Sequence, residues 1–372
     1  MRRLAALGLA VALAGCLKPS AHTCSGGWTC PAGLECADTP TFCGSPAEVA
    51  ACKGAADFTA CSTTAVADGF CQGGACQTCV TDYEVCPAHT WSPMTYAGPD
   101  LTSVFVDKPG SAIAVGAGSV AHWDGLTWTA MQATPTDTLR SVWVPPEGGA
   151  AWIVSNVSIY RWDGTTLTTV ATPMNTGPAA VWASSQTDIY VVGTSATILH
   201  GDGTSMFTTA QLAATSRTLQ AVGGSSATDV YVVGTGGTLA HLEGGMWVLP
   251  TLPMDVGLTA LRGVWADAPN DVFVVGNTTT ILHFDGTSWT HSPAAADVTG
   301  LNLRSVWGSG PSDVYAVGTD AANTTGTILH FDGQMWTTMH TEPVTLTAIS
   351  GSGPHEVIAV GATQTVLRFT GP

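Results

Sequence analysis

The chain has 372 residues, of which 45% are hydrophobic and 10% are charged, and its formal net charge at pH 7 is −16. A surface this acidic repels nucleic acid, so no nucleic-acid partner is expected. All 11 cysteines lie between Cys16 and Cys86. We therefore expect two parts, a cysteine-rich N-terminal segment and a long cysteine-free domain.

The first residues predict export. Arg2 and Arg3 precede an apolar run over residues 4–13, which is too short to span a bilayer as a permanent helix. The run ends in the letters LAGC over residues 13–16. This ending resembles the lipobox of bacterial lipoproteins, in which small residues precede a cysteine. An ordinary secretory signal that ends near a chance cysteine is the alternative.

The resemblance to a lipobox implies a cellular location. It implies a signal peptide over residues 1–15, lipidation of Cys16 and attachment to a membrane surface through acyl chains. Leu17 rather than aspartate follows the cysteine, which by resemblance to Gram-negative sorting favours the outer membrane. The periplasmic and the cell-surface sides both stay open. No later apolar run is long enough to span a membrane, so the lipid is the only expected contact with the bilayer.

Residues 16–88 are interpreted as a lipidated, disulfide-rich stalk. Ten cysteines remain after Cys16, and an even number in an exported segment with little apolar content predicts five disulfides in place of a core. Their pairing stays open; they are Cys24, Cys30, Cys36, Cys43, Cys52, Cys61, Cys71, Cys76, Cys79 and Cys86. Metal binding is the alternative. Only Cys76 and Cys79 have ligand spacing, and no second pair or nearby histidine completes a zinc site, so no metal is expected.

A motif recurs seven times in the cysteine-free part. Its copies are SAIAVG, AAWIVS, DIYVVG, DVYVVG, DVFVVG, DVYAVG and EVIAVG, and they start at residues 111, 150, 188, 229, 271, 313 and 356. Successive starts are 38 to 43 residues apart. The clearest units contain four short β-rich runs, and five units carry an Asp-Gly hairpin signal before the fourth run. A period near 40 with four strands is typical of a β-propeller blade.

We therefore predict an all-β protein: a seven-bladed β-propeller of four-stranded blades over residues 89–372, preceded by the small disulfide-rich segment. The last unit ends before its fourth strand. The letters HTWSP at residues 89–93 precede the first unit and resemble the fourth-strand letters SWTHSP at 288–293. The strand near Trp91 is expected to pair with the strand at Leu367, which would close the ring without an open edge.

The repeats remotely resemble those of WD40, kelch and BNR or sialidase-like propellers. The chain lacks the combination of a Gly-His and a Trp-Asp pair that marks WD40 repeats. The letters FDGTSW at residues 284–289 depart from the Asp-box of BNR repeats, because Asp and Gly are adjacent. The chain is most similar to repeat propellers in bacterial surface lipoproteins, over residues 89–372. The resemblance implies a propeller and brings no activity with it.

Most repeated side chains are expected to be structural. Asp188, Asp229, Asp271 and Asp313 precede the second strand, where turn amides are expected to donate to them. The aspartates of the Asp-Gly turns have the same expected role: Asp124, Asp163, Asp202, Asp285 and Asp332. Tryptophans at two repeated positions are expected to pack between blades: Trp143, Trp182, Trp265 and Trp307 in first strands, and Trp128, Trp247, Trp289 and Trp336 in fourth strands.

Histidines recur in the third strand, at His122, His200, His241, His283 and His330. Equivalent residues of different blades are related by rotation about the axis, and the third strand lies away from that axis. These side chains are therefore not expected to converge on one metal ion, whose ligands must lie about 2 Å from it.

Loop lengths distinguish the two faces of the predicted disc. The spacing from first to second strand is eight residues in six units, and from third to fourth strand it is six residues in five units. The other two connections vary in length, and in a four-stranded meander they emerge on the same face. Variable loops on a rigid frame usually carry binding. We expect binding by loops 132–138, 250–260, 292–302 and 318–326; neutral drift is the alternative.

Three arginines share one position at the start of the innermost strand: Arg140, Arg262 and Arg304. This position is predicted to lie at the mouth of the central channel on the variable face. In an acidic, arginine-poor protein these residues are candidates for binding a carboxylate or phosphate. Structural salt bridging, or packing through the arginine stem, is the alternative.

The predicted function is recognition of a protein or glycan ligand by an envelope-anchored binding scaffold. No G-x-S-x-G, HExxH or phosphate-loop motif is present. The predicted propeller has four glutamates: Glu147, Glu243, Glu342 and Glu356. Two of them, Glu243 and Glu356, occupy structural positions of the repeat. No catalytic residue and no cofactor are therefore expected. A glycan-active enzyme and an outer-membrane assembly factor remain the alternatives.

Overall fold

The computed structural model describes residues 91–173, 177–204, 207–212, 217–354 and 356–369, together with short segments between residues 22 and 78. Side chains at 130–136 and 207–211 are not described. The chain divides into two compact units, Met1–Cys86 and Pro87–Pro372. The predicted signal peptide and Cys16 lie outside the described residues.

The described parts of the first unit are short antiparallel strands: β1 (His22–Thr23), β2 (Thr29–Cys30), β3 (Glu35–Cys36), β4 (Cys43–Gly44), β5 (Ala60–Cys61), β6 (Gly69–Gln72) and β7 (Ala75–Thr78). Cys36 lies directly opposite Cys43 in one pair, and Cys71 lies opposite Cys76 in another. Opposite Cα atoms in an antiparallel pair are about 4.5–5.5 Å apart, a separation that a disulfide can bridge. The five predicted disulfides stay a prediction, since these side chains are not described.

The second unit is built almost entirely of strands: β8 (Trp91–Pro93), β9 (Leu101–Lys108), β10 (Ser111–Trp123), β11 (Trp128–Trp143), β12 (Ala151–Ser155), β13 (Ile159–Trp162), β14 (Leu167–Val170), β15 (Pro178–Ser185), β16 (Asp188–Gly193), β17 (Thr197–Gly201), β18 (Phe207–Gln211), β19 (Leu219–Ser226), β20 (Asp229–Gly234), β21 (Thr238–Glu243), β22 (Met246–Val248), β23 (Leu261–Ala268), β24 (Asp271–Gly276), β25 (Ile281–Phe284), β26 (Trp289–His291), β27 (Leu301–Gly310), β28 (Asp313–Asp320), β29 (Gly326–Phe331), β30 (Trp336–Glu342), β31 (Leu346–Gly353), β32 (Glu356–Gly361) and β33 (Val366–Phe369). Two 3-10 turns, Thr194–Ala196 and Met254–Val256, interrupt them. Among the described residues, no helix is both long and apolar enough to cross a bilayer.

The strands form seven blades, as predicted. Five sheets of four strands are blades 3 to 7: β15–β18, β19–β22, β23–β26, β27–β30, and β31–β33 with β8. A six-stranded sheet holds blades 1 and 2, because β10 and β11 each fill two strand positions. The first half of β10 pairs with β9 and its second half with β11, whose far end pairs with β12.

The ring closes as predicted from the sequence. β8 supplies the fourth strand of blade 7, with Trp91 opposite Phe369 and Pro93 opposite Leu367. The seam between blades 7 and 1 carries side-chain hydrogen bonds as well: the Val106 amide donates to the Ser350 hydroxyl at 3.1 Å. The blades at the two ends of the repeat are thus neighbours in a continuous ring.

The core lies between the blades. The second strands read as unbroken apolar runs because both of their faces are covered by neighbouring blades, and in β20 and β32 every residue is buried. An aromatic side chain of each second strand from blade 3 to blade 6 meets, edge-on, the fourth-strand tryptophan of the next blade. The ring centroids are 5.8 to 6.3 Å apart in the pairs Tyr190–Trp247, Tyr231–Trp289, Phe273–Trp336 and Tyr315–Trp91. The predicted inter-blade role of Trp247, Trp289 and Trp336 is confirmed, and Trp91 has the same role at the closing strand.

The variable connections share one face, as predicted. Backbone hydrogen bonds join the turn between second and third strands to the connection that enters the next blade, as from Ala196 to Arg217 and from Gly237 to Thr259. We call this the variable face. The opposite side, the turn face, holds the Asp-Gly turns and the turns between first and second strands. The prediction of a loop at 132–138 was wrong, since this backbone lies within β11.

Candidate functional site

The turn face carries a hydrogen-bond network of side chains that is repeated from blade to blade and differs from the predicted one. The aspartate at the start of the second strand accepts a hydrogen bond from Nε2 of the third-strand histidine: His200 to Asp188 at 2.6 Å, His241 to Asp229 at 2.8 Å, His283 to Asp271 at 2.5 Å and His330 to Asp313 at 2.8 Å. In three blades a first-strand serine donates to the other carboxylate oxygen, from Ser184, Ser225 and Ser309. The prediction that turn amides bind these aspartates was wrong. These hydrogen bonds all join residues of the same blade.

Three of these histidines, His200, His241 and His283, also stack on the aromatic residue of their own second strand, and His330 contacts Tyr315 at a tilt of 35°. The rings of His241 and Tyr231 are 4.1 Å apart and nearly parallel, at 4°. Burial alone would lower the pKa of His241, but its hydrogen bonds with Asp229 and Glu243 outweigh burial and raise that pKa. The histidines lie in separate blades, each on its own carboxylate, and the described residues contain no cluster of three or more His, Cys, Asp or Glu that could hold a metal ion.

Blade 5 departs from this pattern. Asp267 stands where its neighbours have serine, so two carboxylates meet beside His283. Oδ2 of Asp271 is buried and accepts no hydrogen bond. Burial, and then the nearby charge of Asp271, raise the pKa of Asp267. Blade 5 therefore lacks the serine hydroxyl that donates to the second carboxylate oxygen in the three other blades.

The aspartates of the Asp-Gly turns act as predicted. Oδ1 of Asp285 accepts from the amides of Thr287 and Ser288, both at 2.8 Å, and these bonds hold its pKa below its usual range. The same arrangement occurs at Asp124, Asp163 and Asp332, and Asp202 accepts from one such amide. Polar groups of the turn face are therefore largely satisfied within the protein.

A cavity of about 610 Å³ runs along the central axis and is lined by the first strands of all seven blades. Every first strand has a β-bulge near its variable-face end, at Thr102, Arg140, Ala179, Gln220, Arg262, Arg304 and Thr347. Bulges re-aim a side chain and are frequent next to binding sites. These seven positions form the mouth of the channel, and the three predicted arginines all lie there.

Arg262 and Arg304 occupy adjacent blades, while Arg140 lies across the ring. Nε of Arg262 donates to Oδ1 of Asn277 at 2.6 Å, and Nη2 of Arg304 donates to Oδ1 of Asn323 at 3.1 Å. None of the three arginines forms an ion pair in the described part of the chain. The structural alternative of salt bridging is not seen there.

The loop from β22 to β23, residues 249–260, is the most exposed apolar feature of the variable face. The side chains of Leu249, Met254 and Leu258 are 56%, 99% and 78% exposed. The loop is nevertheless firmly held: Val256 is buried between blades 4 and 5, and Asp255 accepts from Nε2 of His291 at 3.0 Å. We call residues 249–260 the apolar loop. Its tip is ordered and leads directly into Arg262.

Several hairpin turns on this face are strained. Thr278 and Thr279 have φ values of +54° and +58°, a left-handed conformation that β-branched residues rarely adopt. The amide of Thr279 donates to the carbonyl of Leu301 in the next blade at 2.7 Å. Left-handed pairs of non-glycine residues also occur at 195–196 and 363–364, and at 236–237 the pair is two glycines, which adopt this conformation without strain. The strain is held by contacts between blades, and the letters TT give no sign of it.

A second cavity, of about 510 Å³, lies at the seam between blades 7 and 1. Trp123 and Trp128 line it, with the Arg368 guanidinium 5.8 Å from the Trp123 ring. That guanidinium is paired with Glu356 at 3.2 Å. The pair replaces the aspartate–histidine contact of other blades, so its charge is already balanced.

No protein-family model and no curated protein matches the chain. Solved structures match it in fold: YCF48 bound to D1 peptide is 14% identical, with a TM-score of 0.60 over 78% of this chain and 96% of that one. Virginiamycin B lyase from Staphylococcus aureus is 12% identical, with a TM-score of 0.61 over 76% and 98%. The WD40 propeller domain of Doa1 is 11% identical, with a TM-score of 0.61 over 76% and 97%.

These neighbours differ in what they do. One was solved with a peptide and another is a lyase, so the shared fold does not select a function. At identities this low the likeness concerns architecture alone. The second unit of the chain is a β-propeller.

Proposed function

We propose that the protein is a binding scaffold that recognises a protein partner through the variable face of its propeller. The single observation that carries this proposal is the apolar loop, which presents Met254 and Leu258 to solvent on an ordered backbone. Exposed apolar side chains on a rigid frame are typical of interface anchors. Because the loop is already fixed, its partner would not have to pay the entropy of ordering it.

The contrast with the turn face supports this choice. Large apolar side chains are exposed there too, at Leu126, Met246 and Met335, but they lie singly in three different blades. Scattered apolar residues are normal on any protein surface. The apolar loop instead groups three of them within ten residues, next to the arginines of the channel mouth. A neighbour in fold, YCF48, was solved bound to D1 peptide, and this supports the choice of a protein partner.

Photo-crosslinking in cells tests the proposal. A photoreactive residue at position 254 or 258 should give one defined protein adduct, identified by mass spectrometry. The matched controls at positions 126 and 246 on the turn face should give none. Equal or scattered adducts from both faces would overturn the proposal. Met254→Ala with Leu258→Ala should abolish the adduct formed from position 249 while leaving the melting temperature unchanged.

The proposed scaffold is exported and held at the envelope by lipid on Cys16. This part depends on the lipobox resemblance. Cys16→Ala should move the protein from the membrane fraction to the soluble fraction and remove labelling by a fatty-acid analogue. A variant that stays in the membrane fraction without the label would contradict anchoring through Cys16.

A further inference from the structure

The central cavity has a charge opposite to that of the protein. Its lining includes Arg140, Arg262 and Arg304, and the described residues of the lining include no aspartate or glutamate. The chain as a whole has 11 basic and 27 acidic residues. The described part of this wall, with three arginines and no carboxylate, therefore has a charge opposite in sign to that of the whole chain. Low-dielectric walls of one sign concentrate counter-ions.

The positive charge of the adjacent pair is not neutralised from within. Arg262 and Arg304 both rest on side-chain amide oxygens, of Asn277 and Asn323, which orient a guanidinium without cancelling its charge. Thr319 in turn donates to Asn323 at 3.0 Å and fixes that amide. Nε of Arg304 is buried and has no hydrogen-bond acceptor. Donor capacity is left over at a place that water reaches poorly.

The two guanidinium groups also act on each other. Burial first, and then the neighbouring charge of Arg304, lower the pKa of Arg262. Their strands pack closely, since a Cβ placed on Gly263 would lie 3.2 Å from Cα of Ser305. Two like charges held together in a partly buried mouth are stabilised when an anion sits between them.

Below the arginines the wall becomes aromatic. Trp265 and Trp307 come three residues after Arg262 and Arg304 in the same two first strands, and both line the cavity while remaining partly exposed. A ligand entering from the variable face would thus meet paired guanidinium groups first and indole rings deeper in the channel. This order matches a molecule with a negative head and a flat apolar body.

We propose that the channel mouth is a binding site for a carboxylate attached to an apolar or aromatic group, with the carboxylate on Arg262 and Arg304 and the apolar group against Trp265 and Trp307. The planar fork of arginine matches a carboxylate in two parallel hydrogen bonds. The carboxylate can belong to a free acid or to a residue of the proposed protein partner. The inference rests on the proposed function only in using the same face.

The first test uses 3-phenylpropionate as the probe and its neutral amide, 3-phenylpropionamide, as the matched ligand. Calorimetry at constant ionic strength should detect binding of the acid. The affinity for the amide should be lower by roughly tenfold or more. Tryptophan fluorescence should respond to the acid. Equal binding of acid and amide, or no binding of either, would overturn the proposal.

Variants locate the site. Arg262→Gln and Arg304→Gln should each lower the affinity for 3-phenylpropionate by roughly tenfold or more. Arg161→Gln is the matched control, since Arg161 is an exposed residue of β13 outside the cavity. Arg262→Lys is a second control that keeps the positive charge. The melting temperature of each variant shows whether it is folded. A loss in Arg161→Gln equal to that in Arg262→Gln would reduce the effect to net charge and refute the site.

A further arm separates the two sources of the carboxylate. If a partner supplies it, 3-phenylpropionate should compete with the crosslinked partner, and Arg304→Gln should weaken that complex. If a free acid supplies it, neither 3-phenylpropionate nor Arg304→Gln should change the stability of the partner complex. Met254→Ala with Leu258→Ala should leave 3-phenylpropionate binding intact. Failure of the apolar loop as a docking site and failure of the carboxylate site are therefore distinguishable.

Discussion

The two faces of the propeller solve the same structural problem in opposite ways. On the turn face, most carboxylates near strand ends accept a hydrogen bond within the protein, as Asp229 does from His241 and Asp285 from its turn amides. On the variable face, turns are strained, Arg304 has an unused donor, and Met254 faces solvent. The difference teaches where stability and binding reside, because a self-satisfied surface has little left to offer a ligand.

The sharpest way to break this comparison is to remove a turn-face carboxylate. Asp229 is buried and holds both His241 and Ser225. Asp229→Ala should lower the free energy of unfolding by roughly 2–3 kcal/mol, because buried donors lose their acceptor. Asp297→Ala, at an exposed position on the variable face, should change it by less than about 0.5 kcal/mol. Chemical denaturation measures both, and similar losses would contradict the division of roles.

The same site predicts a pH dependence. The pKa of His241 is raised above its ordinary 6.5, so its contribution to stability is full below that pH and is lost as the pH rises through the folded-state pKa. Melting temperatures should therefore fall from pH 6 to pH 9, and His241→Gln should flatten part of that fall. His122→Gln is the control, because its partner is the Ser111 hydroxyl. An identical slope in wild type and His241→Gln would contradict this reading.

A substitution in blade 5 is expected to raise the free energy of unfolding. Asp267→Ser restores the residue found in neighbouring blades and supplies a donor to Oδ2 of Asp271, worth about 1 kcal/mol. The pKa of Asp267 is raised, so its present contribution exists at low pH and disappears as the pH rises through that pKa. The stabilisation should therefore be larger at pH 8 than at pH 3.5. A substitution that destabilises at pH 8 would show that Asp267 has another role.

The smallest expected effect concerns strain on the variable face. Thr278→Gly removes a side chain from a φ of +54° and should stabilise by about 0.5–1 kcal/mol after the entropy of glycine is deducted. The turn-face control Thr287→Gly, at a residue without a left-handed φ, should instead cost about 0.5–1 kcal/mol. Differential scanning calorimetry can resolve the opposite signs. A loss in both variants would mean that the turn at Thr278 is not strained.

Periodicity was enough to predict the architecture. Repeats of similar length gave seven blades, and the likeness between residues 89–93 and 288–293 gave the closing strand at Trp91. These features are local patterns that repeat, so one sequence contains several copies of the same information. The position of Arg262 and Arg304 at the channel mouth followed from the same alignment of repeats.

Three features were harder to predict from the sequence. The turn residues at Asp229 and its equivalents looked like amide acceptors because the side chains that bind them are not their neighbours in sequence. For Asp229 these are Ser225 and His241, four and twelve residues away. The exposure of Met254 depends on Val256 being drawn into the seam between blades, which composition does not reveal. The left-handed Thr278 has no glycine or asparagine signal.

The closing strand β8 has a consequence for how the molecule comes to exist. Trp91 is among the first propeller residues to be synthesised, and its partner Phe369 is among the last. Until the final strand is available, blade 7 is incomplete, and strand edges stay open to pairing with other chains. Long-range pairing of this kind is slow to form. Folding that starts only after the whole propeller has been synthesised would suit this topology, because both ends of the ring are then present.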